Sequence, residues 1–195
     1  NVTPDFNLVD YAISRYPITF GDRNFYLPGC TTPGHYWHAL AQKDRNYPKE
    51  YLQEKIYFAN LIAGHDSEHN LRSVFFEKLN AYKRVESPGT FLNNMPDGKT
   101  VNWLDDSKAD FQHQSKFTIC FESTAHEGFI TEKITDAFFS DTVPVFFGSS
   151  NITEFFNKDA FINVSDYESL DAVVEKIKEL DQDDEKYLAM LRQPI

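Results

Sequence analysis

The stretch "GFITEKITDAFFSDTVPVFFGS", residues 128–149, decides the fold. Within it, "TEKITDAFFS" puts Ile134, Ala137 and Phe138 on one face of a helical period, with Thr131 at the N-cap position. "TVPVFFG" then reads as a short buried strand. Lys133 stands in the first turn of the expected helix. Aligned peptide dipoles favour anions over cations there by ~0.3–1 kcal/mol. The simplest reconciliation is an anion that arrives from outside and is held by the lysine and the helix end together.

Outward from this stretch the same alternation recurs. "KFTICFE", 116–122, is a strand with Phe117, Ile119 and Phe121 on one face. "KIYFANLI", 55–62, and "AFINVS", 160–165, are strand-like as well. Between and after them lie helical patterns. "SEHNLRSVFFEKLNAYK", 67–83, carries Leu71, Val74, Phe75, Leu79 and Tyr82. "SLDAVVEKIKEL", 169–180, carries Leu170, Val173, Val174, Ile177 and Leu180, and "DEKYLAML", 184–191, ends the series. Alternating strands and helices predict an α/β fold with a parallel, Rossmann-type sheet. Such sheets bind ligands beyond the carboxyl ends of their strands, often at helix N-termini. The loop "STAHEG", 123–128, leads from a strand end into the helix of Lys133, so the lysine falls where an open α/β sheet binds phosphate. Neither G-x-G-x-x-G nor G-x-x-x-x-G-K-[ST] occurs, so side chains and a helix end must do the holding.

The remaining sequence bounds the function. The 195 residues carry a net charge of −11 with no basic run, which argues against nucleic acid as partner. With 18 Phe and 10 Tyr the chain has ample material for a core. No apolar run approaches the ~18 residues of a membrane span. Cys30 and Cys120 are too few for a disulfide framework, and Cys120 reads as a buried thiol. Residues 1–40 are rich in Gly, Pro and aromatics, with "FNLVDYAIS", 6–14, as a short strand. The charged stretch 42–55 reads as a linker carrying a turn of helix. His65 and His69 are one helical turn apart, but the pattern is not H-E-x-x-H and a solvated helix start is the better reading. His35 and His38 read as loop residues, His126 as within reach of a phosphate, and "DQDDEK", 181–186, as a solvated turn and cap. The sequons at Asn1, Asn151 and Asn163 matter only in a secreted protein.

Taken together, Phe121-Glu122-Ser123, Gly128-Phe129-Ile130-Thr131-Glu132-Lys133, Thr142-Val143-Pro144-Val145 and Gly148 closely resemble the donor-binding signature of the α1,3/4-fucosyltransferases. "NLRSVFFEKLNAYKRVESPGTFLNN" is similar to a further segment of that family and puts Arg72 on its arginine, while "PDFNLVDYAIS" resembles part of its acceptor domain. The resemblance implies a GT-B fold, with residues 51–195 as the Rossmann-like GDP-fucose domain and residues 1–50 as the tail and linker of an acceptor domain. It implies a bacterial-type enzyme that moves fucose, with inversion, from GDP-fucose to a GlcNAc hydroxyl of an N-acetyllactosamine-like glycan, as in Lewis antigen-type synthesis. The implied donor-binding residues are Arg72, Ser123, Phe129, Glu132 and Lys133, with Arg72 and Lys133 as phosphate cations and Glu132 on sugar hydroxyls. Ser123 replaces the usual Asn and Phe129 the usual Tyr, and both departures bear on donor choice. The general-base glutamate is expected just before Asn1, outside the chain, which starts without Met. No metal or other cofactor is expected. The scarcity of cysteines points to a bacterial cytoplasm, with the Golgi lumen as the setting for a eukaryotic member and peripheral membrane association left open. Two alternatives stand beside this reading: a GT-B transferase with another nucleotide sugar, and a nucleotide- or glycan-binding module without turnover.

Overall fold

The computed structural model describes residues 4–15, 17–18, 21–31, 40, 43–102 and 105–195. His35, His38 and Asn1 lie outside the described residues. Among the described residues seven strands run as β1 Ala12–Ser14, β2 Asn24–Tyr26, β3 Tyr57–Asn60, β4 Val85–Glu86, β5 Ser115–Phe121, β6 Val143–Phe147 and β7 Ile162–Asn163. The α-helices with described bounds include α1 Leu71–Tyr82, α2 Ser107–His113, α3 Glu132–Phe139, α4 Leu170–Gln182 and α5 Asp184–Leu191. Strands β1 and β2 pair as a small parallel sheet. The other five form a parallel sheet in the order β4-β3-β5-β6-β7.

Helices cover both faces, as an all-parallel sheet requires. On one face Phe117, Ile119, Phe121, Val143 and Val145 meet α1, α4 and α5 through residues such as Phe75, Ile177 and Leu188. On the other, Cys120 and Phe146 meet Ile134, Ala137 and Phe138 of α3. The α/β reading with a parallel, Rossmann-type sheet is thus met, and β5, β6, α3, α4 and α5 lie where the periodicity puts them.

Several local expectations change. In α1 Val74 is 39% exposed while Arg72 is buried, so the apolar stripe is narrower than it reads and a guanidinium completes the inner face. That helix begins only at Leu71, because His69 and Asn70 are left-handed at φ 57° and 55°. His65 and His69 therefore share no helical turn. Asp181, expected in a solvated turn, is only 6% exposed in its side chain and pairs with Lys83 and Lys116 at 3.1 Å each. The stretch read as a linker is anchored to the sheet domain. Tyr47 is buried, the hydroxyls of Tyr47 and Tyr51 both donate to Asp141, and Arg192 donates to the Tyr47 carbonyl. Two aromatic rings in a polar stretch suffice to dock it. Strands β2 and β4 and helix α2 carry no periodic signal strong enough to read.

Candidate functional site

The chain leaves β3 for β4 on one edge, then returns to build β5, β6 and β7 on the other side of β3. The strand order reverses between β3 and β5, and a crevice forms beyond the carboxyl ends at such a point. A cavity of about 380 Å³ occupies it. Its walls come from Ile62 to His65 after β3, Gly89 and Thr90 after β4, Ser123 after β5, and Glu132 and Lys133 at the start of α3. Arg72 of α1 and Lys108 of α2 reach in from the flanking helices.

Arg72 is 2% exposed. Its Nε and Nη2 donate to the Phe121 carbonyl at 3.1 and 2.6 Å, and Nη1 donates to the His65 carbonyl at 2.7 Å. The side chain thus ties the end of β5 to the loop after β3. Three of the five guanidinium N–H groups are used and two remain for a ligand. Burial lowers its pKa and the carboxylates of Glu122 and Asp66 oppose that; a guanidinium stays charged.

Lys133 is held by an internal anion. Its Nζ lies 2.9 Å from Glu122 Oε2, and the Glu122 side chain is fully buried. The same carboxylate accepts from the Thr131 N–H at 2.8 Å and the Thr131 hydroxyl at 2.7 Å. Thr131 therefore stands at the N-cap position without a side-chain cap bond, its hydroxyl being turned to Glu122. The cation at the start of α3 is accounted for in part by this carboxylate, not wholly by a ligand. Gly148 makes room for it: a Cβ there would lie 2.8 Å from Glu122 Cγ and 2.8 Å from Phe146 Cζ. Lys133 keeps 24% of its side chain open, toward the cavity it lines.

Glu132 lies 3.8 Å from Lys133, with 61% of its side chain exposed. The enclosing wall pushes its carboxyl up, yet Lys133 and then Lys108 outweigh that and hold it below the usual carboxylate range. Ser123 lines the cavity, and its carbonyl accepts from the Glu68 N–H at 2.9 Å. Of the five residues singled out in the sequence, Arg72, Ser123, Glu132 and Lys133 meet in this one cavity. Phe129 does not line it; its N–H donates to the His126 carbonyl at 3.0 Å within the loop. His126 is exposed and also outside the lining. Lys108 lines the cavity without any motif to mark it, and Glu122 falls within the resemblance with no role implied for it. A lone lysine in a polar stretch has no signal, whereas a glutamate closing an apolar strand does: it ends buried and needs a cation. Among the described residues no group of three or more His, Cys, Asp or Glu is placed to hold a metal ion.

Comparison with known proteins adds to this geometry. Residues 52–192 match the profile described as glycosyltransferase family 10 (fucosyltransferase) C-term. The chain is 29% identical to the alpha-(1,3)-fucosyltransferase FucT of Helicobacter pylori over 98% of its own length and 45% of that protein. It is 31% identical to human 4-galactosyl-N-acetylglucosaminide 3-alpha-L-fucosyltransferase FUT6 over 64% of its length and 33% of that protein. A crystal structure of an alpha1,3-fucosyltransferase with GDP-fucose matches the whole chain with a TM-score of 0.78 at 29% identity, the chain covering 64% of it. The chain thus spans less than half the length of these two curated relatives.

Proposed function

The chain belongs to glycosyltransferase family 10 (fucosyltransferase), and from that premise we propose that it carries the donor side of an α1,3-fucosyltransferase. In this reading residues 51–195 bind GDP-fucose, residues 1–50 belong to the acceptor side, and fucose passes with inversion to a GlcNAc hydroxyl of an N-acetyllactosamine-like glycan. The observation that carries it is the convergence of Arg72, Ser123, Glu132 and Lys133 on one crevice at the switch point of the sheet. A named relative with GDP-fucose in its crystal structure supports the choice of donor.

The chemistry follows from those residues. Departure of GDP concentrates negative charge on its diphosphate, and fixed cations stabilise that charge without reorganising. Arg72, already clamped to two carbonyls, presents its two remaining N–H groups, suited to phosphate oxygens. Lys133 adds a point charge whose position Glu122 sets. Glu132, exposed at the cavity and held ionised by its lysine neighbours, accepts from sugar hydroxyls. Ser123 offers a shorter hydrogen-bonding reach than an asparagine would. With cations from the chain itself, no metal is needed in this scheme.

Calorimetric titration of GDP-fucose in EDTA, with GDP-mannose and UDP-galactose as controls, tests the reading. Metal-free binding selective for GDP-fucose is expected. Equal binding of all three, or binding only with added divalent metal, would overturn it.

A further inference from the structure

Lysine in the first turn of a helix is electrostatically unfavourable, and at this cavity it occurs twice. Lys133 is the second residue of α3, and Lys108 is the second residue of α2. Each is matched to a buried carboxylate that is itself outside the cavity lining: Glu122 at 2.9 Å for Lys133, and Asp136, one turn along α3 from Glu132, at 2.5 Å for Lys108. Lys108 keeps 15% of its side chain open and lines the cavity beside Glu132 and Lys133. Burial works against its ammonium, but Asp136 outweighs burial and raises its pKa, so it stays charged.

We propose that Lys108 is a further donor-binding residue, a third cation that engages the diphosphate of the bound nucleotide together with Arg72 and Lys133. The inference deepens the donor-site reading and rests on it. A lysine ammonium has three donor hydrogens. Asp136 takes one and, as with Glu122 and Lys133, fixes the head from outside the lining. Ile62, Ala63, Gly64 and Val101 in the same lining bring no charged side chain, so the positive charge facing the cavity comes from Arg72, Lys108 and Lys133. The anionic part of a nucleoside diphosphate therefore belongs with these cations, two of which, Lys133 and Lys108, also act on Glu132.

The test is titration of GDP and of guanosine into the 195-residue chain and its variants, guanosine followed by ligand-observed NMR. Lys108→Met should weaken GDP about tenfold, the loss of one charge-assisted hydrogen bond, leave guanosine unchanged, and flatten the salt dependence of GDP affinity. Lys108→Arg should restore most of the affinity. Because Lys108→Met strands Asp136, the double variant Lys108→Met/Asp136→Leu, which replaces a buried ion pair by apolar groups, serves as the folded control and should show the same GDP-selective loss. Wild-type affinity for GDP in both variants, or an equal loss for GDP and guanosine, would overturn the assignment of Lys108 alone. Failure of the unaltered chain to bind GDP would overturn the donor site itself.

Discussion

The residue on which the site turns is Glu122. A fully buried carboxylate is costly unless paired and hydrogen-bonded, and here it accepts from Lys133 and from both the N–H and the hydroxyl of Thr131. Removing it takes the buried ion-pair partner from Lys133 and the acceptor from both Thr131 donors at once, leaving Lys133 the Thr131 hydroxyl oxygen at 2.8 Å and Glu132 at 3.8 Å. Glu122→Ala should therefore cost about 3 kcal/mol, the scale for breaking a buried pair, and Glu122→Gln, which keeps the shape but not the charge, about 1–2 kcal/mol. Urea unfolding midpoints check both; a loss below the scatter of the measurement for Glu122→Ala would mean that Lys133 and Thr131 find other partners. Gly148→Ala should cost roughly 1–3 kcal/mol by overpacking, and less in the Glu122→Ala background, since one of the two atoms its Cβ strikes is gone. Additive costs would show that Phe146, not Glu122, takes the strain. Arg72 carries a related warning. Arg72→Ala frees two carbonyls as well as removing a charge, so loss of nucleotide binding in that variant must be read against its stability. At this scale the sequence made Lys133, Arg72, Glu132 and Ser123 legible because their types and spacing form a motif. The pairing of Lys108 with Asp136 depends on two helices meeting in space, and that of Glu122 with Lys133 on a strand end meeting a helix start, so neither partner is named by spacing alone.

Among the elements, the most informative departure is the docked stretch 43–55. Its short helical turn, Lys49–Glu54, is polar enough to pass for a linker, but Tyr47 and Tyr51 converge on Asp141, a residue at φ 54° in the turn between α3 and β6. At its end Lys55 is 9% exposed, donates to the His113 carbonyl and lies 5.0 Å from the Tyr51 ring. Burial drives its pKa down to about 7, with Asp141 and Glu54 opposing. The unfolded chain keeps that proton up to the ordinary lysine value of ~10.4. Between the two values the unfolded state binds more protons, so stability rises with pH there, by at most ~1.4 kcal/mol per pH unit. Cys30, pushed up to about 12 by burial, and Cys120, pushed up likewise, act in the opposite sense once unfolded thiols ionise near ~8.5. The clean window is therefore pH 7 to 8. The urea midpoint should rise across it in the native chain and the rise should vanish in Lys55→Met; parallel curves for the two would show that Lys55 keeps its proton throughout. The helices α4 and α5 were legible to within two residues because their apolar stripes are long. Strand β4, two residues long, and α2, seven mostly polar residues, fall below what periodicity resolves.

For the whole molecule, alternation of strands and helices predicted a parallel sheet but not the order of its strands. The order is what makes the site: without β4 on the outer edge there is no reversal between β3 and β5, and so no crevice. The cavity draws its walls from segments near residues 62–65, 89–90, 123 and 132–133, separated in sequence and joined only by the sheet. A ligand there is expected to touch the segments that follow β3, β4 and β5 at once and so to hold them together. The pair β1–β2 stands in contrast. Among the described residues its attachments include a bond from the Tyr26 hydroxyl to the Gly128 carbonyl at 3.0 Å, one from the Cys30 N–H to the Ile130 carbonyl at 2.8 Å, and an edge contact of Tyr26 with Phe155. Tyr11, Ile13 and Phe25 are 67%, 72% and 57% exposed. A two-stranded sheet with so little apolar burial is marginal by itself, and local opening follows local burial. Native-state hydrogen exchange should therefore find β5 and β6 the slowest to exchange and β1 and β2 the fastest. Added GDP should extend protection into residues 62–65 and 123–133 while leaving β1 and β2 unchanged, since neither strand lines the cavity. Protection of β1 and β2 equal to that of β5 would show that the small sheet opens only when the whole fold does, and a GDP effect on β1 and β2 equal to that at 123–133 would place them in the clamp.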